Sequence, residues 1–447
     1  MNELAEKYKF PTPRYTSYPP ANRFRNVLAD DNIVGWLEES NLSSPEHISI
    51  YVHIPFCERL CHYCGCHALF TKNEEAKRSY MQALRRELQM LLSNLDKKRK
   101  VTQIHYGGGT PNFIDISYLK ELNTLVLENF ETLENPEISI ECNPSLVDKQ
   151  MVTDIVDAGF NRVSLGVQDT DEAILTSVNR ATPNMPICDI VDLFRQAKRD
   201  IRINFDFIYG LPKQGIKHIE GNIRLIKSAR PDRIATFSYA HVPWMKPNQQ
   251  ALEKLGLPDD ETKLEVFNIF SAGILQLAYE SVGFDHFVLP SDALFVAKQA
   301  GDLHRNFQGY CTKQSTGQVY AVGVSSISQL GNAYIQNTKH TSEYIATINE
   351  GKFPVARVCY LSDEDKRIRS AIEDVMCNYK TDICKYGGVA SVPHAALFEE
   401  LVNDGVVVQD GRFIKINPLF PGAARLVAST LDPYFNKDLT NQHSKSI

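Results

Sequence analysis

The chain has 447 residues, 43% hydrophobic and 23% charged, which points to two or three domains, or one barrel taking up most of the length, and excludes fibrous, collagen-like and wholly disordered classes. A formal net charge of −6 argues against a nucleic-acid binder, whose surface carries a basic stripe. No run reaches the ~18 apolar residues that cross a bilayer, and residues 1–15, MNELAEKYKFPTPRY, lack the apolar centre of a signal peptide, so a cytoplasmic protein without membrane partners is expected.

In chain order, β-branched runs at 48–54, 102–106, 137–142, 162–167, 203–208 and 233–239 alternate with amphipathic stretches at 75–95, 116–129, 148–158, 187–198 and 216–228. Such alternation implies βαβ units and a parallel sheet. Six units are too few for a closed eight-fold barrel. The expected fold class is α/β, a partial, open βα barrel of about six parallel units. A doubly wound open sheet has the same alternation, and periodicity does not separate the two. In either fold, ligands bind at the carboxyl ends of the strands. A site there would gather Cys57, Gly108, Glu141, Gln168 and Gly210, or their neighbours.

After Leu361 the pattern changes. Helical stretches at 362–378 and 393–403 precede 406–416, where Asp410-Gly411 divides two β-rich runs, a hairpin signal. Two helices and a hairpin are similar to a winged helix. Without a basic excess, this α+β unit is expected to pack on the barrel. The polar tail 441–447 is expected to fray.

Four of the ten cysteines, Cys57, Cys61, Cys64 and Cys66, fall within ten residues. In a reducing compartment such a cluster reads as metal-binding or catalytic. Three thiolates on one short loop are soft ligands suited to iron–sulfur clusters or zinc. Structural zinc would want a second, separated pair, and there is none. A 4Fe–4S cluster on Cys57, Cys61 and Cys64 leaves one iron open to substrate. Cys66 as a fourth ligand is cramped beside Cys64. Cys142, Cys188, Cys311, Cys359, Cys377 and Cys384 read as buried thiols acting as small hydrophobes. His53 and His105 read as hydrogen-bonded core histidines.

The CxxxCxxC spacing at the start of a βα barrel resembles the radical S-adenosylmethionine (SAM) superfamily. The longer strings narrow the likeness: PRYTSYP at 13–19, YVHIPFCERLCHYCGC, HYGGGTP at 105–111, ISIECNP at 138–144, LGVQD at 165–169, NFDFIYGLP at 204–212, YAHVPW at 239–244, LHRNFQGY at 303–310 and VGVSSIS at 322–328. Together they are similar to the oxygen-independent coproporphyrinogen III oxidases, from about residue 7 to about residue 435.

This resemblance implies two SAM molecules above the cluster. Tyr51, Gly108, Glu141 and Ile327 would hold the one on the open iron. Tyr63, Gly109, Thr110, Gln168, Arg180, Asp206 and Ala240 would hold the second. It further implies that two propionates of coproporphyrinogen III become vinyl groups, giving protoporphyrinogen IX by radical chemistry. The four-carboxylate substrate would meet Arg14 and Arg305. A low-potential flavodoxin or ferredoxin would supply electrons, and a monomer is the default. The division expected is a segment over the active site (1–45), the catalytic partial barrel (46–335) and the C-terminal winged-helix-like domain (360–447).

Three other readings compete. Haem chaperones of the same branch lack PRYTSYP, have an aromatic residue where Cys66 stands, and carry HNxxYW where this chain reads HRNFQGY. Radical methyltransferases that open haem also use paired SAM sites. An electron carrier is disfavoured by the large barrel and the missing fourth ligand. Two departures from the family pattern stand out: Asn143 where many members have Asp, and Ser145 where they have Arg.

Overall fold

The computed structural model describes residues 4, 7–8, 10–43, 47–313 and 318–436. Six consecutive parallel strands form its centre: β1 (Ile48–Ile54), β2 (Val101–Gly108), β3 (Thr132–Cys142), β4 (Arg162–Gln168), β5 (Arg202–Tyr209) and β6 (Arg233–Ser238). The principal helices of the connections are α1 (Glu74–Ser93), α2 (Ile116–Asn129), α3 (Lys149–Asp157), α4 (Ile187–Ala197) and α5 (Ile216–Ala229), and α6 (Asp260–Gln276) follows β6. Several begin on a side-chain cap of the kind that satisfies free helix amides. Asn73 accepts from the Ala76 amide, Asp148 from Met151 and Asp259 from Thr262.

The strand order answers the question that periodicity leaves open. Each strand lies beside its predecessor in sequence, without the reversal of a doubly wound sheet. Right-handed crossovers in one direction put every helix on the same face. The helices accordingly pack in series, α1 on α2, α2 on α3, α3 on α4, α4 on α5 and α5 on α6.

The opposite face is left for an interior, and side-chain alternation matches this arrangement. Ile48, Ile50, Val52 and Ile54 join Ile104, Ile138, Ile140, Val163, Leu165, Ile203 and Phe205 in the main apolar core. The intervening residues of β2 to β5 are polar: Gln103, His105, Glu137, Ser139, Glu141, Arg162, Ser164, Asn204 and Asp206 all line a cavity.

The sheet continues beyond these strands. A seventh parallel strand, β7 (Val319–Val322), pairs with β1 on its free side. Antiparallel strands Ile327–Gln329, Ala333–Asn337, Val355–Tyr360 and Arg25–Asn26 follow it, and His286–Val288 and Glu280–Val282 extend the β6 edge. Thirteen strands run in linear order among the described residues.

The C-terminal unit comprises α7 (Asp363–Asn378), β8 (Lys380–Asp382), α8 (Ala395–Asn403), β9 (Val407–Asp410), β10 (Phe413–Ile416) and α9 (Ala424–Thr430). Asp410 pairs with Phe413 across a two-residue loop in which Gly411 has φ +58°, a conformation glycine enters without a Cβ penalty. This unit has its own core, which takes in Tyr8, Tyr15 and Tyr18 from the other end of the chain. Among the described residues, no helix is long and apolar enough to cross a membrane. The tail 441–447, expected to fray, lies outside the described residues.

The scattered cysteines need a correction. Cys142, Cys311 and Cys377 are buried, but Cys188 and Cys359 are half-buried and Cys384 is exposed. Cys384 lies in the short turn that follows β8, where its neighbour Ile383 takes the position facing the core.

Candidate active site

The four clustered cysteines occupy the segment that leaves β1. Phe56–Cys57 forms a short strand paired with Leu69–Phe70, so the segment closes on itself. Cys57 and Cys61 are buried, Cys64 is half-buried and Cys66 is exposed. Side chains from elsewhere hold the backbone of this loop. Asn179 Nδ2 donates to the Leu60 carbonyl at 2.8 Å, Asn248 Nδ2 to those of Cys61 and His62 at 3.1 Å, and Gln249 Nε2 to that of Tyr63 at 3.2 Å.

Two polar groups address the sulfurs themselves. Thr110 Oγ1 donates to Cys57 Sγ at 3.2 Å, and an Arg180 terminal nitrogen stands 3.8 Å from Cys61 Sγ. Burial pushes the Cys57 thiol up to about 11, with Thr110 partly offsetting it. Metal binding would displace that proton, since the thiolate is the ligand.

The glycine run at the end of β2 fits closely against its surroundings. Gly108 has φ +112°, and a Cβ there would meet the His53 ring at 2.5 Å. A Cβ on Gly109 would meet the Pro55 backbone at 2.6 Å. Alanine is therefore excluded at both positions, and the strand end passes directly beneath the cysteine loop. Glu141, at the end of β3, accepts from the Gly108 amide at 3.3 Å and lies 3.2 Å from His105 Nε2. Burial raises the carboxyl, but His105 and the amide outweigh it and hold Glu141 below the usual carboxylate range. Tyr51 stacks on His105 at 6.0 Å and bonds His53 Nδ1 at 3.0 Å. Both histidines are thus hydrogen-bonded: His53 Nε2 also meets the His67 carbonyl, and His105 Nδ1 meets Ser139.

Gln168, at the end of β4, adopts φ +66°, a left-handed conformation that non-glycine residues hold mainly where the surroundings impose it. Arg180 reaches across to donate to the Gly166 carbonyl at 2.7 Å. Asp206, on β5, accepts from Ser164 at 2.6 Å and from Asn204 at 2.9 Å. Burial keeps its carboxyl above the usual range, and the Glu141 charge adds to this.

Tyr63, Cys64, Glu141, Gln168, Asp206, Ala240, Arg14 and Arg305 line one cavity of about 2070 Å³, larger than the roughly 300–1,000 Å³ of ordinary ligand pockets. Tyr51 and Gly108 lie behind that wall through His105 and Glu141, whereas Cys57, Cys61, Gly109, Thr110 and Arg180 are not among its lining residues. Ile327 does not line the cavity but packs with Phe24, Phe307 and Tyr334. Gly210 is not brought in either. Its amide donates to Gln214 Oε1 at 2.8 Å in a turn, and Tyr209 lines the wall instead.

Sequence reasoning missed a third arginine. Arg425, on α9, lines the cavity with Arg14 and Arg305. Burial and then the charges of Arg14 and Arg305 push Arg425 down to about 9, and Asp285 is the acid that opposes this. Arg305 donates to Tyr310 at 2.9 Å, stacks on Phe284, and leaves its buried Nε without a hydrogen bond. No local pattern marks Arg425, because its role depends on where α9 docks. Of the two family departures, Asn143 caps the turn after β3 by accepting from the Ser145 amide at 3.3 Å.

No three His, Cys, Asp or Glu side chains among the described residues converge as the ligands of a single ion. Three thiolates that each bind a different iron of a cubane stand wider apart than that. The donor chemistry fits such a cluster: three soft sulfurs on a loop fastened by three side chains, with the Arg180 cation beside Cys61.

Comparison with known proteins agrees with this geometry. The radical SAM superfamily matches residues 51–226. The oxygen-independent coproporphyrinogen III oxidase of Synechocystis is 33% identical, covering 100% of this chain and 97% of its own length. That of Escherichia coli K12 is 33% identical over 97% of this chain and 95% of its own, and that of Helicobacter pylori 26695 is 36% identical over 89% and 87%. The solved structure of Escherichia coli coproporphyrinogen III oxidase, described as a radical SAM enzyme, superposes with a TM-score of 0.87 at 32% identity, covering 94% of this chain and 98% of that one.

Proposed function

This chain belongs to the oxygen-independent coproporphyrinogen III oxidase family of the radical SAM superfamily, and from that premise we propose how its residues divide the work. It is an enzyme of haem biosynthesis that oxidatively decarboxylates coproporphyrinogen III, with a 4Fe–4S cluster and SAM as cofactors. When bound, these cofactors supply the one-electron chemistry that removes a hydrogen atom from a propionate side chain.

Cys57, Cys61 and Cys64 would hold the cluster, which with three protein thiolates would keep one iron for SAM. Tyr51, Gly108 and Glu141 would hold that SAM, Glu141 accepting from its ammonium group or ribose hydroxyls, while Ile327 packs away from the cavity. Tyr63, Gly109, Thr110, Gln168, Arg180, Asp206 and Ala240 would hold a second SAM. The size of the cavity supports room for more than one cofactor besides the substrate.

The observation that carries the reading is a single cavity with Cys64 and Cys66 in one part of its wall and Arg14, Arg305 and Arg425 in another. Arginine forks match carboxylates in pairs of hydrogen bonds, and the substrate carries four carboxylates. Arg14 forms no hydrogen bond or ion pair within the chain among the described residues and is exposed toward the cavity. Arg14 and Arg305 take the propionates directly. Residues 12–17, which line the same cavity, help to keep water from the reacting carbon.

The test is a strictly anaerobic assay of reconstituted protein with SAM, a low-potential reductant and coproporphyrinogen III. Stepwise loss of two CO2 with formation of 5′-deoxyadenosine is expected. Formation of 5′-deoxyadenosine with the porphyrinogen unchanged would overturn the substrate assignment.

A further inference from the structure

The reaction consumes electrons delivered from outside the chain, so a surface near the cysteines must receive the donor. Beside the cysteine loop lies a patch of positive charge that the site does not use. Lys246 donates from Nζ to the Cys66 carbonyl at 2.7 Å. His67, the next residue, has its ring 6.1 Å from that of His53 and sits against the Lys339 backbone, within the fields of Lys246, Lys339 and His340. Lys339 in turn lies within the fields of Arg357 and Lys246. One carboxylate borders these cations: Glu343 accepts from Thr338 Oγ1 at 2.7 Å, and the His340 amide donates to that same hydroxyl at 3.3 Å. Lys339 and His340 are exposed, and Trp244, two residues before Lys246, is 53% exposed.

The contrast with the rest of the molecule is informative. A chain of net charge −6 gathers Lys246, Lys339 and Arg357, with Glu343 as a bordering carboxylate, close to the loop that carries the candidate cluster ligands. Charge of one sign concentrated at one place steers an oppositely charged partner and raises its association rate. An exposed aromatic beside it is the kind of anchor that interfaces use. Electron transfer falls off steeply with distance, so a donor must dock over this loop rather than elsewhere on the barrel.

We propose that Lys246, Lys339, His340 and Arg357, with Trp244 at their edge, form the docking surface for a small acidic one-electron carrier protein that reduces the cluster. This rests on the function proposed above. In each transfer the reduced carrier gives up one electron and leaves oxidised by one, and no proton or group moves with it.

The experiment compares the reconstituted wild-type protein with Lys339→Glu/His340→Glu, driven either by a reduced flavodoxin or by dithionite. Carrier-driven turnover of the variant is expected to fall about tenfold near 0.05 M salt, and the gap to narrow at about 0.3 M as screening removes the steering. Dithionite-driven turnover should be unchanged. The dissociation constant for the oxidised carrier, measured by calorimetry, should rise by a similar factor. Equal carrier-driven rates and equal affinities at low salt would overturn the proposal. If dithionite yields no product even in the wild-type protein, the functional reading fails, while the affinity comparison still decides the surface. A variant that loses dithionite-driven turnover as well is replaced by Lys339→Gln, which removes charge without adding any; an unchanged carrier affinity there at low salt would likewise overturn the surface.

Discussion

Arg425 Nε lies 3.2 Å from the Pro13 carbonyl oxygen, across 412 positions of sequence, and a second nitrogen of the same guanidinium donates to the Thr12 carbonyl. The last described helix thereby grips the N-terminal segment immediately before Arg14. Tyr15 extends the grip by donating to Asp432 at 2.9 Å. Segments 12–15 and 425–432 are thus fastened together beside the cavity, and Arg14 is presented from that fastening.

Arg425 and Arg14 should therefore fail differently. Arg425→Ala leaves two buried carbonyls without their donors and should cost about 2–4 kcal/mol of stability, read as a lower urea midpoint, together with a raised KM for the porphyrinogen. Arg14→Ala should raise that KM about tenfold or more through the lost carboxylate contact, with the midpoint unchanged. An Arg14→Ala enzyme with wild-type KM and turnover would remove this residue from the substrate site.

The cysteines separate by iron content. Cys57→Ala, Cys61→Ala and Cys64→Ala should each lose the 4Fe–4S absorption after anaerobic reconstitution and all formation of 5′-deoxyadenosine. Cys66→Ala should keep about four irons per chain, because the family motif uses three thiolates and leaves one iron open. A Cys66→Ala protein without a cluster would make Cys66 a ligand.

Glu141→Gln keeps the shape but removes the charge that His105 and the Gly108 amide hold in place. The loss of a charged hydrogen bond should weaken SAM binding about 10- to 100-fold, measured by equilibrium dialysis. Iron content should not change. Unaltered affinity for SAM would take Glu141 out of the cofactor site.

Glu87, on α1, is buried and accepts from the Gly323 amide at 2.7 Å and from Tyr344 and Asn337. Burial pushes its carboxyl from 4.5 up to about 7, and these bonds offset only part of that. The folded state thus binds this proton more tightly than the unfolded chain does. Its contribution is fully present below about pH 4.5 and is lost as pH rises through about 7, amounting to about 3 kcal/mol. Glu87→Gln should flatten the pH dependence of the urea midpoint over that window; an identical profile would show that Glu87 does not titrate there.

Much of the fold is legible in local pattern. Strand and helix assignments on either side of Gly108, Glu141 and Gln168 follow from apolar spacing, and those spacings place the polar strand ends on one rim. A further signal was present in the same residues but easily passed over. Gln103, His105 and then Glu137, Ser139 and Glu141 alternate with apolar neighbours at period two. A parallel sheet with helices on both faces is apolar on both faces, so this alternation already indicates a wet interior and hence a barrel.

Gly210, Ile327 and Arg425 mark where local reading ends. Gly210 looks like one more rim glycine until Gln214 takes its amide. Ile327 follows a family string but packs on Phe24 and Tyr334, partners set by the antiparallel edge.

By itself, the sequence determined the βα alternation, the three-thiolate loop and the glycine run at the end of β2, because each depends on spacing within one or two elements. Only the tertiary structure decided that β7 closes onto β1, that Lys246 and Lys339 share a patch beside Cys66, and that Arg425 reaches residues 12–13. Those relationships join residues far apart in sequence, and they arise from how separate apolar faces dock, which no local period records.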